Sequence, residues 1–119
     1  MIGKITTIIL FVKDVPGVAG FYNEVLGFKI IGKVDPEWTE IDCGSCRIGL
    51  HKIGRAGNIK KETGVKIAFG VKDVAKAKAL IESRGCKMGK IQTFEKLNFC
   101  DGSDPEGNKF QISNRGMGK

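Results

Sequence analysis

The tetrapeptide Val12-Lys-Asp-Val15 returns unchanged as Val71-Lys-Asp-Val74, and each copy stands between the same two kinds of element. Before it runs a β-rich segment, Ile5-Thr-Thr-Ile-Ile-Leu-Phe11 in one case and Val65-Lys-Ile-Ala-Phe69 in the other. After it comes a helical pattern. In the first copy Asp14 caps the helix, Pro16 suits its first turn, and Val18, Phe21, Tyr22, Val25 and Leu26 form an apolar stripe. In the second, Asp73 caps, and Val74, Ala77, Leu80 and Ile81 form the stripe. Gly27 and Gly85 supply the left-handed stops.

Strand material follows each helix. Trp38 to Cys43 and Cys46 to Lys52 flank Gly44-Ser45, a two-residue hairpin turn. In the second half, Leu97 to Cys100 and Lys109 to Ser113 flank a loop from Asp101 to Asn108. The polar, glycine-bearing stretch 54–63 reads as a linker. The expectation is therefore an α+β fold made of strand, helix and three strands, twice. One domain spans 1–119, with module one at about 1–53 and module two at about 64–119.

A chain of 119 residues is long enough to bury a core without disulfides, and its 41% hydrophobic and 28% charged content is ordinary for a globular protein. No apolar run approaches the ~20 residues needed to cross a bilayer as a helix. The start, MIGKITTIIL, lacks the features of a secretory signal, which predicts a cytoplasmic protein whose four cysteines are free thiols. The net charge of +7 invites polyanions, but the lysines are scattered and no aromatic-rich basic stripe accompanies them. An anionic small ligand is a better use of this charge than nucleic acid.

The stretch Leu10 to Phe28, with Phe21-Tyr22 and Leu26-Gly-Phe28, resembles the first strand and helix of the vicinal oxygen chelate superfamily, the glyoxalase/bleomycin-resistance/dioxygenase fold. Asp104-Pro-Glu-Gly-Asn108 followed by Lys-Phe-Gln-Ile112 resembles its closing hairpin. The resemblance implies two tandem βαβββ modules forming a curved, mainly antiparallel sheet around a cavity, with helices on the outer face. It also implies a homodimer, with the modules paired either within one chain or between chains. It does not select a function, because the family holds isomerases, lyases, dioxygenases, thiol transferases and antibiotic-sequestering proteins.

Metal-dependent members carry four His, Glu or Gln ligands. One lies seven residues before each helix-opening aspartate and one on each module's last strand. Counting back from Asp14 and Asp73 gives Thr7 and Lys66, and matching Ile48-Gly-Leu50 to Phe110-Gln-Ile112 gives Gly49 and Gln111. Of these only Gln111 is a donor of the family's type, and Lys66 brings a cation to the metal's place. The reading is therefore no metal and no cofactor. A rearranged centre from Glu40, His51 and Gln111 stays open as the alternative.

The hairpin sorts the remaining candidates by face. Trp38, Glu40, Asp42, Arg47, Gly49 and His51 share the concave side with Thr7, Ile9, Phe11, Lys66, Ala68, Gln111 and Ser113, while Thr39, Ile41, Ile48 and Leu50 face the helix. The candidate ligand-binding set is Thr7, Phe11, Trp38, Glu40, His51, Lys66 and Gln111, with Glu40 the candidate catalytic acid. Each has a plainer reading. Trp38 serves as packing anchor or stacking platform, His51 as an exposed structural residue, Glu40 as an ion-pair partner of Lys66, and Asp42 as one of Arg47. Cys43-Gly-Ser-Cys46 flanks a hairpin tip rather than opening a helix, which argues against a redox or zinc role. The Asp104 loop has too few spaced acids for calcium. The function expected is metal-independent binding of an anionic or carbonyl-bearing small molecule. The alternative is a metal-dependent glyoxalase-like lyase or isomerase.

Overall fold

An aspartate at each helix start fixes the local backbone. Asp14 Oδ1 accepts a hydrogen bond from the Gly17 amide at 3.0 Å, and Asp73 Oδ1 accepts one from the Lys76 amide at 3.0 Å. Each satisfies an amide that the first helical turn leaves without an intrahelical partner. The structure, a computed structural model, describes residues 2–3, 5–54 and 65–117. Apart from residue 54, the expected linker lies outside the described residues.

The chain is α+β and divides into two compact units, Met1–Lys60 and Lys61–Lys119. The first unit contains β1 (Thr7–Val12), α1 (Val15–Gly20), β2 (Lys29–Ile31), β3 (Trp38–Asp42) and β4 (Arg47–Lys52). Helix α1 runs on into a π-helical turn, Phe21–Val25, in which the Leu26 amide reaches the Phe21 carbonyl at 3.3 Å. The second unit contains β5 (Ile67–Gly70), α2 (Val74–Ser83), β6 (Gln92–Phe94), β7 (Leu97–Ser103) and β8 (Lys109–Ser113). Gly27 and Gly85 follow the two helical segments at φ 79° and 94°.

Each unit forms a four-stranded sheet of the same topology, in the orders β1-β4-β3-β2 and β5-β8-β7-β6. The first and last strands of each module pair in parallel, and the other pairings are antiparallel. Two βαβββ modules are therefore present. Helix α1 packs on β3 and β4, where Thr39, Ile41, Ile48 and Leu50 are buried against Val15, Val18, Ala19 and Tyr22. Helix α2 packs on β7 and β8, and Val74, Ile81, Cys100, Phe110 and Ile112 are the buried apolar residues of those elements. The faces alternate as the hairpin arithmetic requires.

Two expectations are corrected. Strand β7 runs to Ser103, so Asp101 is not the start of a loop. Asp101 pairs with Gln111 and Ser103 with Lys109, so the sheet register absorbs a segment whose Gly-Ser content reads as a turn. The true turn is Asp104 to Asn108, where Asp104 Oδ1 accepts from the amides of Glu106 and Asn108, both at 2.9 Å, and Oδ2 accepts from Asn108 Nδ2 at 2.8 Å. The second correction is Leu80, which is 49% exposed. At 100° per residue it lies well off the Val74–Ile81 axis, and the half-buried places beside that axis go to Ala77 and Lys78.

Removing either cap tests the local account. Asp14→Ala and Asp73→Ala are each expected to lower stability by about 1 kcal/mol, read from the urea midpoint at unchanged slope.

Candidate functional site

The β3–β4 hairpin decides which side chains meet. The Cys43 amide donates to the Cys46 carbonyl at 3.0 Å, closing the turn around Gly44-Ser45, with Gly44 at φ 89°. The register then pairs Asp42 with Arg47, Ile41 with Ile48, Glu40 with Gly49, Thr39 with Leu50 and Trp38 with His51, as a two-residue turn dictates. Strand β1 sets Thr7 beside Arg47, Ile9 beside Gly49 and Phe11 beside His51.

On this helix-free face the outer edge of the Trp38 indole lies against Gly49. A Cβ built at position 49 would clash with the ring carbons Cη2, Cζ2 and Cζ3, so the close approach requires glycine. The indole Nε1 donates to Glu40 Oε2 at 3.1 Å, and Arg47 donates to Glu40 Oε1 at 2.7 Å. The His51 ring meets Trp38 edge-on with centroids 5.9 Å apart and lies 5.2 Å from Phe11. His51 Nδ1 is 2.7 Å from the Lys52 carbonyl. A carbonyl only accepts, so Nδ1 carries the proton and Nε2 is the nitrogen turned to other partners. Phe11, Trp38, Glu40 and His51 thus come together, while Thr7 sits further along β1, level with Arg47.

This geometry revises two assignments and fills one space. Arg47 pairs with Glu40, not Asp42, whose Oδ1 instead accepts from the Gly44 amide at 2.9 Å. Glu40 is paired with Arg47 rather than Lys66. The space opposite Glu40 over Gly49 is filled by the Trp38 ring. Hydrogen bonds from Arg47 and then Trp38, aided by the Arg47 charge, hold the Glu40 carboxyl below its ordinary value against a smaller effect of burial.

The second sheet carries a separate polar group. Lys66, just before β5, places Nζ 2.8 Å from Asp101 Oδ2, and Gln111 Nε2 donates to Asp101 Oδ1 at 3.1 Å. Burial pushes the Asp101 carboxyl up. The hydrogen bonds from Lys66 and Gln111, with the charges of Lys66 and Lys109, outweigh it and leave the group below its ordinary value. Asp101 is the member that the sequence pattern hid in an expected loop, and Arg47, expected on this face, has Glu40 rather than Asp42 as its partner. The repeat held the signal, because Asp101 stands opposite Gln111 as Glu40 stands opposite Gly49.

The family model for the Glyoxalase/Bleomycin resistance protein/Dioxygenase superfamily matches residues 4–112. The chain belongs to that superfamily. Among solved structures, the fosfomycin resistance protein FosX from Listeria monocytogenes superposes with a TM-score of 0.78 at 18% identity, covering 95% of this chain and 93% of that one. TnmS3, an antibiotic binding protein from Streptomyces sp. CB03234, gives 0.76 at 18% identity over 93% and 94% of the two chains. Lactoylglutathione lyase from Agrobacterium tumefaciens gives 0.75 at 16% identity over 92% of each. These likenesses show the glyoxalase fold. A search of curated proteins by sequence finds no match.

The residues that the family resemblance sets at the metal-ligand positions do not fit a divalent ion in this chain. Thr7 offers a hydroxyl and Gly49 no side chain, and the Trp38 ring fills the space above Gly49. Lys66 offers an ammonium already paired with Asp101, and the Gln111 amide nitrogen is turned to the same carboxylate. Among the described residues no three His, Cys, Asp or Glu side chains converge.

Trp38 is the chain's only tryptophan, so its fluorescence reads this face directly. Gly49→Ala is expected to tip the indole outward and shift its emission to the red. It should also cost about 1–3 kcal/mol, as an overpacked position does. The lowered Glu40 value fixes the sign of a pH effect. Stability contributed by Glu40 is complete above its unfolded value and is lost as pH falls through the lower folded value. A fluorescence titration should show the Trp38 signal changing only below the usual glutamate range, and Glu40→Gln should abolish that change.

Proposed function

We propose that the chain is a metal-independent small-molecule binding protein of the glyoxalase/bleomycin-resistance type, with the helix-free face of its first sheet as a binding surface. The carrying observation is the Trp38 indole set against Gly49, with His51 in ring contact with Trp38 and Phe11 in ring contact with His51. An indole held in place by its own hydrogen bond to Glu40 offers an aromatic surface at little entropic cost. Ile9 and Phe11, each 48% exposed, extend the apolar surface along β1. A flat aromatic or conjugated ligand suits such a surface, because offset stacking adds about 0.5–1.5 kcal/mol per ring pair beyond burial.

A carbonyl or anionic substituent on that ligand remains part of the reading, with His51 beside the rings as a candidate polar contact. The anionic preference rests less on Lys66, whose charge Asp101 already balances. Thr7, Lys66 and Gln111 are carried as candidate polar contacts. A proton-transfer role for Glu40 has weaker support. Two donors hold it ionised below its ordinary value, which makes it a poor general base. The likeness to an antibiotic-binding protein supports sequestration as the biological use. On the resemblance to the family, the chain is taken to act as a homodimer in the cytoplasm, as one domain spanning 1–119.

Calorimetric titration with anthraquinone-2-carboxylate and related flat quinones and carboxylates tests this reading. Binding in excess chelator is expected, with Trp38→Ala and Phe11→Ala each weakening it tenfold or more. Unchanged affinity in both variants, or no binding by any of the probes, would contradict it.

A further inference from the structure

The cysteine pair at the β3–β4 turn takes no part in the proposed binding surface; its place at a hairpin tip gives it no helix-activated thiolate, but the cross-turn hydrogen bond brings the two residues together. Cys43 and Cys46 are free, and each is partly exposed at the hairpin tip. They flank the two-residue turn just beyond the last paired residues of β3 and β4, and one 3.0 Å backbone hydrogen bond joins the Cys43 amide to the Cys46 carbonyl. A four-residue turn brings its end Cα atoms within about 7 Å, against the roughly 4.4–6.8 Å that disulfides adopt. Burial, then the neighbouring Cys46 and Asp42, push the Cys43 thiol up to about 11, so the two sulfurs sense one another. Cys86 and Cys100, by contrast, are buried in the second unit.

We propose that Cys43 and Cys46 form a thiol–disulfide exchange site that closes to a disulfide across the turn, with a low-molecular-weight disulfide as co-substrate. Cys46 Sγ, as the thiolate, attacks one sulfur of the small disulfide. An S–S bond to Cys46 forms, the small S–S bond breaks, and one small thiolate leaves. Cys43 then loses its proton and attacks Cys46 Sγ, and the mixed disulfide breaks to release the second small thiolate. The cysteine pair is oxidised by two electrons, the small disulfide is reduced, and the two cysteine protons end on the two released thiols.

The order of attack follows from the Cys43 environment. A thiol pushed up to about 11 is protonated at neutral pH and is the slow partner, so it serves as the resolving group. Once formed, the bond is favoured for the same reason, because little thiolate stabilisation supports the reduced form. Strand register need not change, since the backbone of the pair is already joined.

The test is mass spectrometry of the full folded chain after incubation with glutathione disulfide. The wild type should lose about 2 Da, with peptide mapping placing the bond between Cys43 and Cys46. Cys43→Ser should instead trap a stable glutathione adduct on Cys46. In the wild type, resolution of the mixed disulfide should speed up roughly tenfold per pH unit below the Cys43 value. Lasting adducts on the wild-type pair would overturn the proposal, as would no reaction at either cysteine while the urea-unfolded chain reacts.

Discussion

The contact of the Trp38 indole with the bare backbone of Gly49 organises the first sheet. It requires glycine on β4, because any side chain would occupy the ring's volume. It turns the indole N–H toward Glu40, and that carboxylate in turn gathers Arg47. His51 and Phe11 then complete a row of rings across β3, β4 and β1. Gly49 thereby becomes part of the floor of an aromatic surface, on a strand order and register that are those of a βαβββ module.

The two modules balance charge on their sheets in parallel ways. In each, a carboxylate on the penultimate strand stands opposite the middle of the last strand, Glu40 opposite Gly49 and Asp101 opposite Gln111, and a cation neutralises it. Glu40 is matched by Arg47 and Asp101 by Lys66. Both carboxylates are held below their ordinary values by donors at hydrogen-bonding distance. Each face thus closes its charges internally. Partly exposed pairs of this kind add little stability, about 0–1 kcal/mol. Their consequence is positional, because they hold Trp38 and Gln111 where the sheet presents them.

Much of the fold was legible in the sequence because its signals are local. The repeated Val-Lys-Asp-Val marks both caps, and Gly44-Ser45 fixes the register of β3 with β4 one residue at a time. What stayed hidden depended on side-chain direction rather than backbone pattern. Alternation places Arg47 opposite Asp42 and two pairs from Glu40 on the same face, and cannot say which carboxylate it reaches. Nor can it say that Trp38 folds down over its diagonal neighbour. Asp101 was concealed for another reason. The run Asp101-Gly-Ser103 carries the composition of a turn, yet the partner strand β8 is long enough to hold it in the sheet. Leu80 shows the same limit in a helix, where an apolar residue near the stripe is displaced by its angle.

The account rests on an aromatic surface standing in place of a metal centre. Elemental analysis of the native chain, purified without chelator or metal-affinity resin, measures this most directly. Zinc, nickel, manganese, iron and copper well below one equivalent per chain are predicted. One tightly held equivalent of any of them, lost on substitution of Thr7, Lys66 or Gln111, would contradict it.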